Sequence, residues 1–156
     1  MSGVSAFWLI WSSGCSPNNL SESGQLIYPE GIDQLSNRSF DSLEGPEQVF
    51  FLVWWLEGEV NNGGFHQFFF NSNGALAPET LDALHTIGAP NTGEILREAI
   101  DVAYAGSYPI DRSLHRRALL DSDAVMSRLE ELDARFLAYE EDLTRLVNEY
   151  LGNKSK

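Results

Sequence analysis

The chain has 156 residues, 43% of them hydrophobic, and a formal net charge of −13 from 23 acidic and 10 basic residues. Four Trp and nine Phe exclude an intrinsically disordered acidic chain, and the length predicts a single folded domain over residues 1–156. The negative charge repels nucleic acid and anionic membranes and attracts basic molecules. We therefore expect a basic partner, and we expect no direct binding to nucleic acid or to a membrane. No apolar run approaches the roughly 18 residues that span a bilayer, and the single cysteine, Cys15, excludes an intramolecular disulfide. These features predict a cytoplasmic protein.

Residues 1–27 carry the weakest structural signal. Residues 4–11 are expected to form a short apolar helix or strand. Their apolar run, residues 6–11, is too short for a signal peptide and follows no basic residue. Residues 12–25 are rich in Ser, Gly and Asn, which is typical of a loop. A short helix is expected within residues 27–37.

Eight consecutive apolar residues, 49–56, open the most informative stretch of the sequence. A surface helix carries a single apolar stripe, whereas a helix that is apolar all round is normally buried. We therefore predict a buried central helix over residues 46–60. The sequence Asn61-Asn62-Gly63-Gly64 is expected to end it, because Gly and Asn tolerate the left-handed conformation. The aromatic residues 65–71 then form a short second helix or turn.

Proline and glycine residues mark two further helices. Pro78 suits the first turn of a helix, and Gly88 ends that helix after an apolar stripe at helical spacing. Asn91, followed three residues later by Glu94, resembles a capping box at the start of the next helix, which Gly106 stops.

The clearest periodicity lies in residues 121–151, where apolar residues alternate between spacings of four and three. This pattern predicts one continuous last helix with a seam that packs along a neighbouring helix. The seam consists of Val125, Leu129, Leu132, Phe136, Tyr139, Leu143, Leu146 and Tyr150. Residues 152–156 are expected to form a frayed tail. With no strand pattern of convincing length, the fold class is all-α, with about six or seven helices around the central helix.

Acids, amides and an imidazole are concentrated between residues 57 and 67. This polar cluster comprises Glu57, Asn61, Asn62, Gly63, Gly64, His66 and Gln67. Such groups can satisfy exposed backbone groups where two helices meet at a tight turn. Alternatively, the five non-glycine residues of the cluster line a ligand-binding or catalytic pocket, or contact a partner protein. The three histidines lie on different elements without metal-ligand spacing, so no metal or cofactor is predicted.

The acidic residues are unevenly distributed along the chain. Residues 41–60 hold five acids and no base, and residues 121–151 hold nine acids and three arginines. On a continuous last helix, Asp123, Glu130, Glu131 and Glu141 would lie opposite the apolar seam, over a length of roughly 27 Å. Duplex DNA carries one charge per roughly 1.7 Å of axis, so such a row could imitate a short run of phosphates. A solvated helix face is the alternative interpretation.

Residues 55–72, WLEGEVNNGGFHQFFFNS, resemble the signature block of a bacterial DNA-mimic protein family that was long catalogued only as a domain of unknown function. Residues 84–89, 132–136 and 150–151 are similar to its downstream blocks, so the resemblance covers residues 28–151, whereas residues 12–25 do not match. The resemblance implies an all-helical fold, a homodimer, and surface acids that stand in for DNA phosphates. In the known case, the mimic occupies a transcription factor and relieves its repression.

The resemblance thus implies an acidic interaction protein without catalytic activity. It would bind the basic DNA-binding surface of a transcription regulator or other DNA-binding protein and compete with DNA. The acids expected to form this predicted acidic surface are Glu44, Glu47, Glu59, Asp123, Glu130, Glu131, Glu140 and Glu141. Two alternatives remain: an acidic dimeric adaptor with a partner unrelated to DNA, and an enzyme or ligand-binding protein that uses the polar cluster.

Overall fold

The computed structural model describes residues 38–109, 111, 114 and 122–154, and within them it contains five α-helices and no β-strand. The helices are α1 (Pro46–Phe70), α2 (Ala77–Ile87), α3 (Pro90–Tyr104), α4 (Asp123–Phe136) and α5 (Leu143–Lys154). Short 3-10 helices at Phe40–Ser42 and Ser72–Leu76 precede α1 and join it to α2. The predicted all-α class is confirmed. The elements expected at residues 4–11 and 27–37 lie outside the described residues.

Helix α1 forms the centre of the fold and packs against α2, α4 and α5. Four consecutive residues, Phe50, Phe51, Leu52 and Val53, are all buried, so every side of this part of the helix is covered. Only a helix that is apolar all round can be covered in this way without burying unpaired polar groups. The predicted central helix is therefore confirmed.

Helix α1 is interrupted at Gly63 and Gly64, where the sequence predicted its end. Gly64 has φ 70° and ψ −174°, a conformation essentially restricted to glycine, and Gly63 is also non-helical. A Cβ atom on Gly64 would overlap the carboxylate of Asp133, which approaches the backbone from α4. Residues 46–62 and 65–70 are therefore two helical segments, and we call the second one the aromatic segment.

Helices α2 and α3 begin and end largely as their Pro and Gly residues predict. Pro78 lies in the first turn of α2, and Gly88 ends it in the left-handed conformation at φ 79°. The predicted capping box of Asn91 and Glu94 is wrong, because α3 begins at Pro90 with no side-chain cap from its own residues. Glu94 pairs instead with Arg97 on the exposed side of α3.

The prediction of one continuous last helix is wrong. Helix α4 ends at Phe136 and α5 begins at Leu143, and between them Tyr139 adopts a left-handed backbone conformation with φ 48°. The Asp142 carboxylate accepts a hydrogen bond from the Arg145 amide at 2.9 Å and so caps α5. The seam residues on both helices still pack against the core, so the apolar spacing does not distinguish one helix from two. Helix α5 continues to Lys154, beyond the predicted end at residue 151.

The conformation of Gly64 generates a prediction about stability. Replacement of Gly64 by Ala places a Cβ atom in a strained backbone region and against the Asp133 carboxylate. We expect the free energy of unfolding in urea to fall by at least about 3 kcal/mol. The matched control is Gly152→Ala in α5, where a Cβ atom meets nothing within 4 Å and the expected change is within about 1 kcal/mol. Equal unfolding midpoints for the two variants would contradict the role assigned to Gly64.

Candidate functional site

The helix break is filled by the side chain of Asp133 from α4. Its Oδ1 atom accepts a hydrogen bond from the Phe65 amide at 2.7 Å, at the start of the aromatic segment. The positive end of that segment favours a carboxylate there. Burial raises the pKa of Asp133, and Glu130 raises it further, while the Phe65 amide and His66 lower it. Sequence reasoning did not identify Asp133, because it lies 68 residues from its hydrogen-bond partner.

Glu59 lies inside the fold, at 2% exposure. Its Oε2 atom accepts hydrogen bonds from Gln67 Nε2 at 2.7 Å and from Asn71 Nδ2 at 2.8 Å. Asn62 Nδ2 donates to Gln67 Oε1 at 3.0 Å, so these groups link the two sides of the break. The assignment of Glu59 to the predicted acidic surface is therefore corrected. The turn at Gly63 and Gly64 brings the two amides back to this carboxylate and so allows it to be buried.

Glu57 and Asn61 form a second group on the other side of α1. Asn61 Nδ2 donates to the Glu57 carbonyl oxygen at 2.8 Å and also to the hydroxyl of Tyr139. Burial raises the pKa of Glu57, the hydrogen bond with Tyr139 lowers it, and nearby Asp142 raises it. The side chains of the polar cluster other than His66 thus fall into two separate hydrogen-bonded groups, one with Tyr139 and one with Glu59. Tyr139 belongs to this group only because the chain turns between α4 and α5.

His66 belongs to neither group. Its ring is stacked on that of Phe70, one turn later, with the centroids 6.1 Å apart and the planes 7° from parallel. Phe70 is 59% exposed and lies at the surface of the aromatic segment. The structure therefore does not bring the five side chains of the polar cluster together at one place.

Glu141 acts as a cap for a distant helix. Its Oε1 atom accepts a hydrogen bond from the Asn91 amide at 3.0 Å, and its Oε2 atom accepts from the Thr92 amide and hydroxyl, both at 2.8 Å. This is the cap that α3 lacks in its own sequence. The prediction that Glu141 lies on the solvent face of one long helix is therefore wrong, because it lies in the turn between α4 and α5.

The remaining members of the predicted acidic surface differ in their surroundings. Glu47 pairs with Arg38 at 3.2 Å, and Glu131 pairs with Arg128. Four others are exposed and have no ion pair with any residue that the structure describes, and we call them the free acids. They are Glu44, Asp123, Glu130 and Glu140.

Arginines balance the acids where α3 faces α4. The Glu98 carboxylate forms salt bridges with Arg128 at 3.5 Å and with Arg135 at 2.9 Å. On α3 itself, Arg97 pairs with Glu94 and, at 3.0 Å, with Asp101. These exposed pairs contribute little to stability individually, but they neutralise this face locally.

A membrane-spanning helix or a group of metal ligands among the described residues would change the interpretation of this surface. No helix there is long and apolar enough to cross a membrane. No group of three or more His, Cys, Asp and Glu in the same residues is arranged to hold a metal ion.

Comparison with known protein families gives a match over most of the chain. The model of a family described as DMP19-like protein matches residues 41–154, which is well over half of the chain and includes all five helices. Comparisons with curated protein sequences and with solved structures give no match.

The cap of α3 generates a prediction about two adjacent glutamates. Glu141→Ala removes three hydrogen bonds from the start of α3, so we expect the free energy of unfolding to fall by about 1–2 kcal/mol. Glu140→Ala changes an exposed side chain, so it should alter the free energy of unfolding by no more than about 0.5 kcal/mol. Denaturation in urea measures both, and an equal effect of the two substitutions would contradict the capping role of Glu141.

The raised pKa of Glu57 generates a prediction about pH. A raised pKa in the folded state means that the folded protein holds this proton more tightly than the unfolded chain does. The resulting stabilisation is fully present below the unfolded pKa and is lost as the pH rises through the folded pKa. Glu57→Gln cannot titrate, so its stability relative to the wild type should increase between about pH 4 and pH 7. The exposed Glu140→Gln is the control, and parallel stability curves for Glu57→Gln and wild type would contradict the prediction.

Proposed function

The chain belongs to the DMP19-like protein family, a family of DNA mimics, and we propose that it binds the basic DNA-binding surface of a transcription regulator or another DNA-binding protein. It competes with DNA for that surface and acts without catalysis. The observation that carries this proposal, beside the family match, is the set of exposed free acids on a chain with a net charge of −13. Such carboxylates remain available to a basic partner.

The spacing of two free acids on α4 supports mimicry of phosphates. Asp123 and Glu130 are both exposed and lie seven residues apart, so they share one face of the helix. At 1.5 Å rise per residue they are about 10.5 Å apart along the axis. One strand of duplex DNA carries a phosphate per 3.4 Å of axis, so this separation equals the axial advance over about three phosphates. This short pair replaces the longer row expected from a continuous last helix.

The hydrogen bonds of the polar cluster support a structural role for it. Glu59, Gln67 and Asn62 hold the two sides of the helix break together, and Asn61 connects α1 to Tyr139. In a ligand pocket, such side-chain donors and acceptors would be left for the ligand, but here they bond to one another. We further propose that the protein acts as a homodimer, which the family resemblance implies and sedimentation measurements can test.

A second candidate function is an acidic adaptor whose partner is unrelated to DNA. The observation in its favour is the arginine-balanced face between α3 and α4, where Arg128 and Arg135 alternate with Glu98 and Glu131. A surface of mixed charge does not resemble a phosphate backbone, which carries a single sign. Binding through that face would not be displaced by duplex DNA, which separates the two functions experimentally.

The proposed function is tested by capture and competition. The immobilised protein is exposed at low salt to DNA-binding proteins of its own cells, and each captured protein is then titrated in purified form. We expect binding that duplex DNA displaces and that weakens steeply as the salt concentration rises. Capture of no DNA-binding protein, or binding that duplex DNA leaves unchanged, would refute mimicry.

The residues are tested with two triple variants of equal net charge. Replacing the free acids Asp123, Glu130 and Glu140 by their amides should weaken binding about tenfold or more, because each contributes a local contact worth up to about 1 kcal/mol. The control replaces Glu94, Glu131 and Glu149, which are exposed but paired with arginines, by Gln. Equal weakening by both variants would show that net charge alone matters, and would contradict the assignment to the free acids.

A further inference from the structure

An exposed aromatic surface lies beside the helix break. Phe70 is 59% exposed, and it is the most exposed of the three large hydrophobic side chains at the surface of the described residues, the others being Leu137 and Tyr139. Its ring is stacked almost parallel to that of His66, with the centroids 6.1 Å apart, and more than half of the Phe70 side chain remains accessible. The neighbouring Phe65, Phe68 and Phe69 are fully buried in the core, whereas Phe70 is not. Packing in the core therefore does not explain why an aromatic residue occupies position 70. A large aromatic ring left at the surface of a folded protein is a candidate binding contact.

Two carboxylates lie at the His66 end of this surface. The Asp133 carboxylate accepts a hydrogen bond at 2.7 Å from the amide of Phe65, the residue before His66, and Glu130 lies three residues before Asp133 on α4. Burial raises the pKa of Asp133, Glu130 raises it further and His66 lowers it, so both side chains lie near this carboxylate. Glu130 is exposed, one turn before Asp133 on α4, and has no ion pair with a described residue. We call His66, Phe70, Glu130 and Asp133 together the acid–aromatic surface.

We propose that the acid–aromatic surface binds an arginine side chain of the basic partner, with the guanidinium plane on the Phe70 ring and its charge directed toward Glu130 and Asp133. This inference rests on the proposed function for the identity of the partner, and it adds a specific contact to the general attraction of charge. A guanidinium group is flat, permanently charged and weakly hydrated, so it can stack on a ring while it donates hydrogen bonds to a carboxylate. No other protein cation has all these properties.

Lysine fits this surface less well than arginine. An ammonium group is a compact and strongly hydrated charge, and it gains little from a flat aromatic surface unless water is excluded. The carboxylates attract both cations, but Phe70 discriminates between them. The surface should therefore select partners whose DNA-binding residues include a protruding arginine, whereas carboxylates alone would accept any basic surface.

The experiment compares two synthetic peptides that differ only in having arginine or lysine at every basic position. Their dissociation constants for the full chain are measured at low salt by calorimetry, and the ring protons of His66 are followed by NMR. We expect the arginine peptide to bind about two- to fivefold more tightly than the lysine peptide, because a guanidinium group gains from stacking on an exposed ring and an ammonium group gains little. The His66 signals should shift with the arginine peptide.

Three variants assign the preference to individual residues. Phe70→Leu keeps an apolar side chain but removes the ring, so the ratio of the two dissociation constants should fall to about one. Phe70→Tyr restores the ring and should restore the preference. Leu137→Ala is the control, since it truncates another exposed apolar side chain, at 45% exposure, and should leave the ratio unchanged.

The outcomes separate this inference from the proposed function. Equal binding of the two wild-type peptides, binding of neither peptide, or a preference that survives Phe70→Leu would overturn the arginine site. Conversion of a dimer to a monomer by Phe70→Leu with no change in the ratio would identify the surface as a contact between two copies, and would also overturn it. DNA mimicry is refuted by a different result, namely that duplex DNA does not displace the captured DNA-binding protein. The two tests are independent because the peptide measurement contains neither DNA nor that protein.

Discussion

The hydrogen bond between the Asp133 carboxylate and the Phe65 amide is the interaction on which the rest of this structure depends. It places a charge against the backbone at the point where α1 is interrupted, and only glycine at position 64 leaves room for it. Burial raises the pKa of this carboxylate, so its desolvation is unfavourable. The Phe65 amide and the positive end of the aromatic segment offset that cost, and Phe65 packs edge-on against Phe136 at 5.8 Å to hold α4 in place. The same break brings Gln67 and Asn71 back to the buried Glu59 carboxylate.

The acidic residues of this chain have three different surroundings, and net charge alone does not distinguish them. Asp133, Glu141 and Asp142 accept backbone hydrogen bonds at helix starts and hold the helices in position. Others, such as Glu98 and Glu131, are paired with arginines. The free acids are exposed and have no ion pair with a described residue, so they present an uncompensated charge to a partner. Interactions between exposed charges are largely screened beyond about 8 Å at physiological ionic strength, so the local surroundings of each acid matter more than the total.

The sequence predicted those features that depend on neighbouring residues. The burial of α1 follows from its apolar run, and the break at Gly63 and Gly64 follows from the conformational freedom of glycine. Contacts between distant residues could not be predicted in this way. Glu59 has the composition of a surface residue, and its burial requires two amides that the turn brings back to it. Likewise, the division between α4 and α5 contains neither Gly nor Pro, and the apolar spacing continues across it because both helices pack on the same core.

The connection between the core and the proposed binding surface lies in α4. Asp133 fixes this helix to the break in α1 from its inner side, while Asp123 and Glu130 project from exposed positions on the same helix. The backbone of an anchored helix is already ordered, so binding costs these carboxylates side-chain freedom but no further backbone freedom. Glu130 belongs both to the pair of free acids on α4 and to the acid–aromatic surface around Phe70. Charge mimicry and recognition of arginine would therefore share one residue, and a substitution at Glu130 should weaken both, whereas a substitution at Phe70 should affect the second alone.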